Sequence, residues 1–440
     1  MRAAADHEVI QGDEQMSDPL RREADDGARR HFWRNYAAHS LEGGLFLGGM
    51  TFVSATTLLP TIVRTLHGPV WLVSLMPMMM AVGVLLPPIF TAHAIDRLRR
   101  YMPMLLVTGV FQRLPYLLAG LALLYGAEAS PMLALVAAAL APLVSGVFCG
   151  VGFTGWQQLL IQTVPQRRRS GLFAVRCVLC CLIGLAAGWV AKVVLAARPG
   201  AEGYGVLYLC AFGMLAVSYV AFATIRETPS TLAPPDASPG LVANLRAMPG
   251  LIARHRQFRR YLLVSTFSCG VFIVMPFLAI HARRVLGRPE SWLGELLMVQ
   301  MAGAIAGNVL AGWLGDRRGG KAVLMTGAAA WVCLAAASTA AASDLAFRAI
   351  FFAMGFAYYT QMIGGMTLSL EISPTSQRAT CLAILAFVRL LSMLTAAGIS
   401  AAIGNGDGRF AWAAGATVLS VGVALYLAAG LREPRGRAAA

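Results

Sequence analysis

The chain is a succession of long apolar stretches separated by short, mostly basic breaks. A helix needs about 20 largely apolar residues to cross the hydrocarbon core of a bilayer. Twelve stretches meet that length, at 41–63, 71–92, 102–125, 132–156, 171–195, 204–225, 261–282, 292–314, 322–342, 346–370, 380–403 and 410–431. Only Ser343 and Asp344 mark the turn between the ninth and the tenth. Pro60, Pro77, Pro87, Pro88, Pro115, Pro142 and Pro276 fall inside spans, where neighbouring helices tolerate them and kinks are expected. The pattern predicts an all-α integral membrane protein.

The breaks set the orientation. Of the 36 Lys and Arg, 25 fall on one side of the predicted membrane and 7 on the other, with four inside spans. Basic residues stay cytoplasmic, so both termini are expected there, as an even number of spans requires. The expected organisation is a disordered basic tail at 1–40, a six-helix bundle at 41–225, a cytoplasmic linker at 226–260, a second bundle at 261–431 and a short tail at 432–440. The first 40 residues are too charged for a secretory signal and show no cleavage site after the first apolar run. A bacterial inner membrane is the expected location.

Composition agrees. The chain is 58% hydrophobic and 13% charged, whereas soluble domains carry about a quarter charged residues. Lipid must solvate most of it. The net charge of +15 suits basic loops facing anionic lipid heads, and no nucleic-acid motif competes. All eight Cys lie in apolar stretches, so no disulfide framework is indicated. Cys177, Cys180 and Cys181 share a helix face without a nearby His or carboxylate, and they read as small buried side chains. No metal or cofactor is expected.

Two landmarks recur in order. Trp71 opens span two and Asp96–Arg97 follow it; Trp292 opens span eight and Asp316–Arg317 follow it. Phe173-Ala-Val-Arg176 enters span five, and Ala386-Phe-Val-Arg389 enters span eleven. Duplicated halves with substrate between them are a common plan for secondary transporters.

The segment Gly312-Trp-Leu-Gly315-Asp316-Arg317-Arg-Gly319-Gly-Lys321 resembles the loop signature of the major facilitator superfamily, G-x-L-A-D-R-x-G-R-K. Its mate keeps Asp96, Arg97 and the basic end at Arg100, without the glycines. The resemblance implies twelve spans in two pseudo-symmetric halves, alternating access, and usually a monomer. Glycines would permit a tight turn with positive φ. Each Asp could latch onto a helix start of the other half. Arg176 is thus expected to meet Asp316, and Arg389 to meet Asp96, in the state closed at the cytoplasmic side; Glu371 and Glu42 compete for Arg389.

The resemblance also makes spans one, four, seven and ten line the cavity. The candidates for touching a substrate are Thr51 and Ser54 on span one, Gln300 on span eight, and Tyr358, Tyr359 and Gln361 on span ten. Gln361 and at least one of the two tyrosines are expected to face a central cleft. Arg113 on span three is expected to satisfy backbone carbonyls. Carboxylates are scarce in the spans (Glu42, Glu295, Glu371), so the sequence leaves proton coupling and direction open. Enzyme signatures and a phosphate-binding loop are missing, so no enzyme is expected. The expected function is a secondary transporter of a small organic solute; the alternatives are a transporter-like receptor or scaffold and, less favoured, a membrane-embedded enzyme.

Overall fold

The computed structural model describes residues 31–87, 91, 98, 100–227, 249–250, 252–373, 378–404 and 409–431. Among them there is no strand. The first half contains α1 (Phe32–Thr65), α2 (Val70–Leu85), α3 (Met102–Gly126), α4 (Pro131–Thr163), α5 (Gln166–Ala197) and α6 (Ala201–Ala223). The second contains α7 (Arg256–Leu286), then the run Trp292–Ser338, divided at Gly319 into α8 and α9, then α10 (Asp344–Ile372), α11 (Arg378–Ile403) and α12 (Arg409–Ala429).

Nine helical runs among the described residues are long and apolar enough to cross a membrane. The α8–α9 run counts as one of these. α2 is shorter, and part of its expected inner end lies outside the described residues. α10 has 29 residues but is diluted by the polar run Tyr358 to Gln361.

Several bounds differ from expectation. α1 begins at Phe32 rather than 41, and the rings of Phe32, Trp33 and Tyr36 meet in tilted and edge-on contacts along its first turn. The stretch 32–40 is therefore helix, while 1–30 lies outside the described residues. α7 begins at Arg256 rather than 261, with Phe258 already buried. α1 and α7 are both interrupted midway. A 3-10 turn spans Met50–Val53 in α1, and Cys269 and Gly270 form a turn in α7. Pro115, Pro142 and Pro276 sit inside continuous helices.

Successive helices alternate in direction. Phe32 and Leu431 lie at one end of the bundle (the terminal end), and the turns after α1, α3, α5, α7, α9 and α11 lie at the other (the distal end). Within the first half α5 and α6 pack on α1, and α4 packs on α2 and α3. In the second half α12 packs on α7 and α9, and α10 packs along the α8–α9 run. The halves meet through α5 against α8, α2 against α11, and α7 against the end of α1 and α2.

The buried apolar residues divide unevenly between the ends. The largest cluster joins both halves, for example Ile62, Val73 and Ala187 with Phe277, Leu293 and Leu297. At the terminal end each half keeps its own cluster. Ala38, Tyr101, Leu159 and Phe222 form one in the first half. Phe258, Tyr261, Leu368 and Leu385 form another in the second. The halves are fused at one end and packed separately at the other.

Candidate functional site: the seam between the halves

Small residues let α5 and α8 approach backbone to backbone. A Cβ on Gly294 would stand 2.4 Å from the Gly188 carbonyl oxygen and 2.3 Å from the Lys192 nitrogen. Gly184 faces Met301 of α8 in the same stripe. The Gly184–Gly188 spacing is legible in the sequence as a packing pattern; that its partner is the other half is not.

Polar contacts close the same end. Thr57 Oγ1 donates to Gln300 Oε1 at 2.8 Å, and Gln300 Nε2 donates to Thr56 Oγ1 at 3.0 Å. Glu290 accepts from Thr65 Oγ1 at 2.6 Å and from the Gly200 amide at 3.2 Å, both in the first half. Arg283 stands 3.6 Å from the same carboxylate. Lys192 Nζ lies 2.9 Å from Glu295, which also pairs with Arg348. Among the described residues no hydrogen bond or ion pair joins the halves at the terminal end. Sequence reasoning singled out none of Glu290, Lys192 or Arg348 as a contact.

At the terminal end of the first half, Arg176 is 8% exposed. Its NH1 lies 3.1 Å from Glu42 Oε2 and donates to the His39 carbonyl at 3.2 Å. The Glu42 contact is a close ion pair rather than an aligned hydrogen bond, since Oε2 makes none. The guanidinium stacks 5.0 Å from Trp156 and 5.9 Å from Phe173. Gly43 makes room for it: a Cβ there would fall 1.8 Å from Arg176 Nε. The expected Arg176–Asp316 contact is not formed. Glu42 is the nearer acid, on a helix of the same half, and the halves are apart at this end. Asp316 is exposed and has no partner among the described residues. Asp96 and Arg97 lie outside the described residues, and Arg100 is exposed. Arg389 is half-buried.

The signature segment is helical where a loop was expected. Gly312, Gly315 and Asp316 continue α8, and Arg317 stacks over Trp313 at 4.4 Å. Only Gly319 leaves the helix, with φ 75 and ψ 177, a conformation essentially confined to glycine. The start of α9 is then held by neighbours. The Gly320 amide points at both Glu371 oxygens at 3.4 Å. Lys321 Nζ donates to the carbonyls of Ala429 and Leu431 at the end of α12. In the first half Glu227 caps α3 through the Tyr101 and Met102 amides at 2.6 and 3.0 Å. Glu227 belongs to a further repeat, Ile225-Arg-Glu and Leu431-Arg-Glu, which was readable in the sequence and escaped it. Its second Glu lies outside the described residues.

The cavity candidates separate. Thr51 bonds back to the Gly48 carbonyl, and Ser54 pairs with Thr56. Gln300 is 5% exposed and occupied in the distal seal. Tyr358 and Tyr359 meet edge to face at 5.6 Å. Tyr358 lies toward Arg389 of α11 and Tyr359 toward Cys177, Cys180 and Cys181 of α5. Gln361 is half-buried, and its backbone and Cβ abut Gly327 of α9. Arg113 donates to the Leu215 and Gly109 carbonyls at 2.7 and 2.8 Å and serves packing, as its place on α3 suggested.

No family model matches the sequence, and no curated protein matches it. Solved structures do. The nucleoside transporter NupG superposes with a TM-score of 0.68 at 13% identity, covering 89% of this chain and 99% of its own. A D-xylose–proton symporter gives 0.64 at 15% identity, covering 92% and 98%. A bacterial homologue of the lysosomal transporter Spinster, inward-facing and unoccupied, gives 0.61 at 15%, covering 94% and 97%. With apolar helices of spanning length, paired halves and this likeness over nine-tenths of its residues, the chain is an integral membrane protein with the fold of the major facilitator superfamily transporters.

Proposed function

We propose that the protein is a secondary transporter that moves a small organic solute by alternating access between its two halves. The observation that carries this reading is the uneven seam: one continuous buried cluster and every described cross-half polar contact at the distal end, separate clusters at the terminal end. A rigid pair of halves fused at one end and parted at the other has the geometry of one access state, and rocking about the seam would generate the other. The basic breaks support twelve spans with both termini cytoplasmic, in a bacterial inner membrane, so the terminal end would be the inner end and this state inward-facing. Organisation as two six-helix halves joined by the 226–260 linker, action as a monomer and coupling to protons belong to the same proposal.

The test uses the distal seam. In a background without native cysteines, Thr65→Cys and Glu290→Cys are introduced where the wild-type side chains touch. Oxidation should stop solute counterflow in proteoliposomes, and reductant should restore it. Flux that continues through the cross-linked protein would remove alternating access.

A further inference from the structure

Among the described residues, the arginine at the terminal end has an acid beside it in one half and none in the other. In the first half Arg176 has Glu42 at 3.1 Å. Arg389, its repeat mate, sits half-buried on α11 between two apolar clusters. Ile384 and Leu385 pack with Tyr261 on its terminal side. Met393 packs with Met78 and Cys269 on its distal side. The guanidinium lies within electrostatic reach of Tyr261, Tyr358 and Cys269, all uncharged at neutral pH by their ordinary values. No described residue gives it a hydrogen bond or an ion pair.

The internal repeat shows what is missing. Gly49 of α1 meets Met214 of α6 as Gly270 of α7 meets Ser420 of α12. That register puts Leu263 at the place of Glu42. An arginine stays charged, and a charge at membrane depth without a counter-ion is costly, so such groups mark substrate or ion paths. Arg389 is one turn to the terminal side of Met393, where α11 meets α2. It therefore lies beside a contact between the two halves.

We propose that Arg389 is the counter-charge for an anionic substrate, a small organic carboxylate held between the halves. This deepens the transporter reading and rests on it. A guanidinium fork takes both oxygens of a carboxylate. One unpaired cation balances one negative charge, whereas a phosphate dianion would carry a second one uncompensated into the site. Tyr358 and Tyr359, which meet edge to face, would give the organic body of the ligand an aromatic surface. Binding there would neutralise the site and remove the cost of closing the terminal end around an isolated charge, which gives the bound state a reason to rock.

The test uses the full chain in detergent and, separately, in liposomes. The probes are matched pairs differing in charge: phenylacetate and phenylacetamide, nicotinate and nicotinamide, lactate and lactamide. The shift of melting temperature with probe concentration gives an apparent affinity. At least one carboxylate is expected to stabilise the wild type where its amide does not. Arg389→Gln should weaken that binding at least about tenfold, the loss of a charge-assisted pair, and Arg389→Lys should fall between. Carboxylates that bind no better than amides, or that bind Arg389→Gln equally well, overturn the proposal. Should Arg389→Gln fail to fold, Arg389→Lys carries the test: it must weaken carboxylate binding, and unchanged affinity overturns the proposal as well. Flux is scored apart from binding. Arg389-dependent carboxylate binding without flux in wild-type liposomes would keep the site and remove the transport reading. Flux of an amide, insensitive to Arg389→Gln, would keep the transport reading and overturn the anion site.

Discussion

Arg176 and Arg389 occupy matching places in a duplicated sequence and live in different environments. Arg176 is enclosed by Glu42, the His39 carbonyl and two aromatic rings. Removing one partner of a buried pair leaves the other charge uncompensated, at about 3–5 kcal/mol. Glu42→Gln should therefore lower the melting temperature of the purified protein by an amount matching about 3 kcal/mol. Combining it with Arg176→Gln should recover part of the loss. A melt unchanged by Glu42→Gln would show that the pair contributes nothing to stability. The sequence announced the arginines as repeat mates. It could not announce that one has its acid on a neighbouring helix, since Glu42 is 134 positions away in the chain and only the packing of α1 on α5 brings it within 3.1 Å.

At the scale of elements, the glycines of α5, α8 and the α8–α9 corner do different jobs. Gly188 and Gly294 set how closely the halves meet. Gly294→Val would place methyl groups inside the α5 backbone, so the distal seam should open. A spin-label pair across the distal ends of α5 and α8 should read a longer mean distance, and an unchanged distribution would contradict this account of the seam. Gly319 carries the only non-helical φ/ψ within the α8–α9 run. Gly319→Ala should cost about 1–3 kcal/mol, the usual strain of such a backbone in a residue with a Cβ, read as a lower melting point. The signature segment resembled a glycine-rich loop, and one glycine of four makes the turn. Helix propensity and packing carried the chain through Gly312 and Gly315, because nothing at those two positions demands a conformation that a helix cannot supply.

At the scale of the whole molecule, the order of apolar runs and basic breaks carries the proposed orientation of the bundle. With cysteines placed in an otherwise cysteine-free chain, Glu128→Cys in the turn between α3 and α4 should react with an impermeant maleimide on intact cells. Thr224→Cys at the end of α6 should react only after the membrane is opened. Labelling of Glu128→Cys from the cytoplasmic side alone would reverse the topology. Under the proposed orientation the terminal end would be the inner one, and the unmade Asp316 contact would have its physical reason. A latch between halves at that end can form only when they close there.

The sequence by itself determined the helical membrane fold, the duplication and the matching positions of its two arginines. Each of these is written in local quantities: the length of apolar runs, the placement of Lys and Arg, and short repeated strings. Tertiary structure alone decided at which end the halves share a buried cluster, that Gln300 closes the distal seam and that the Gln361 backbone abuts α9. It also decided that Glu42 answers Arg176 while no described acid answers Arg389. Those outcomes depend on which helix faces which, at what depth and around which side, and a linear pattern with the same apolar content on several faces of each helix does not encode that choice.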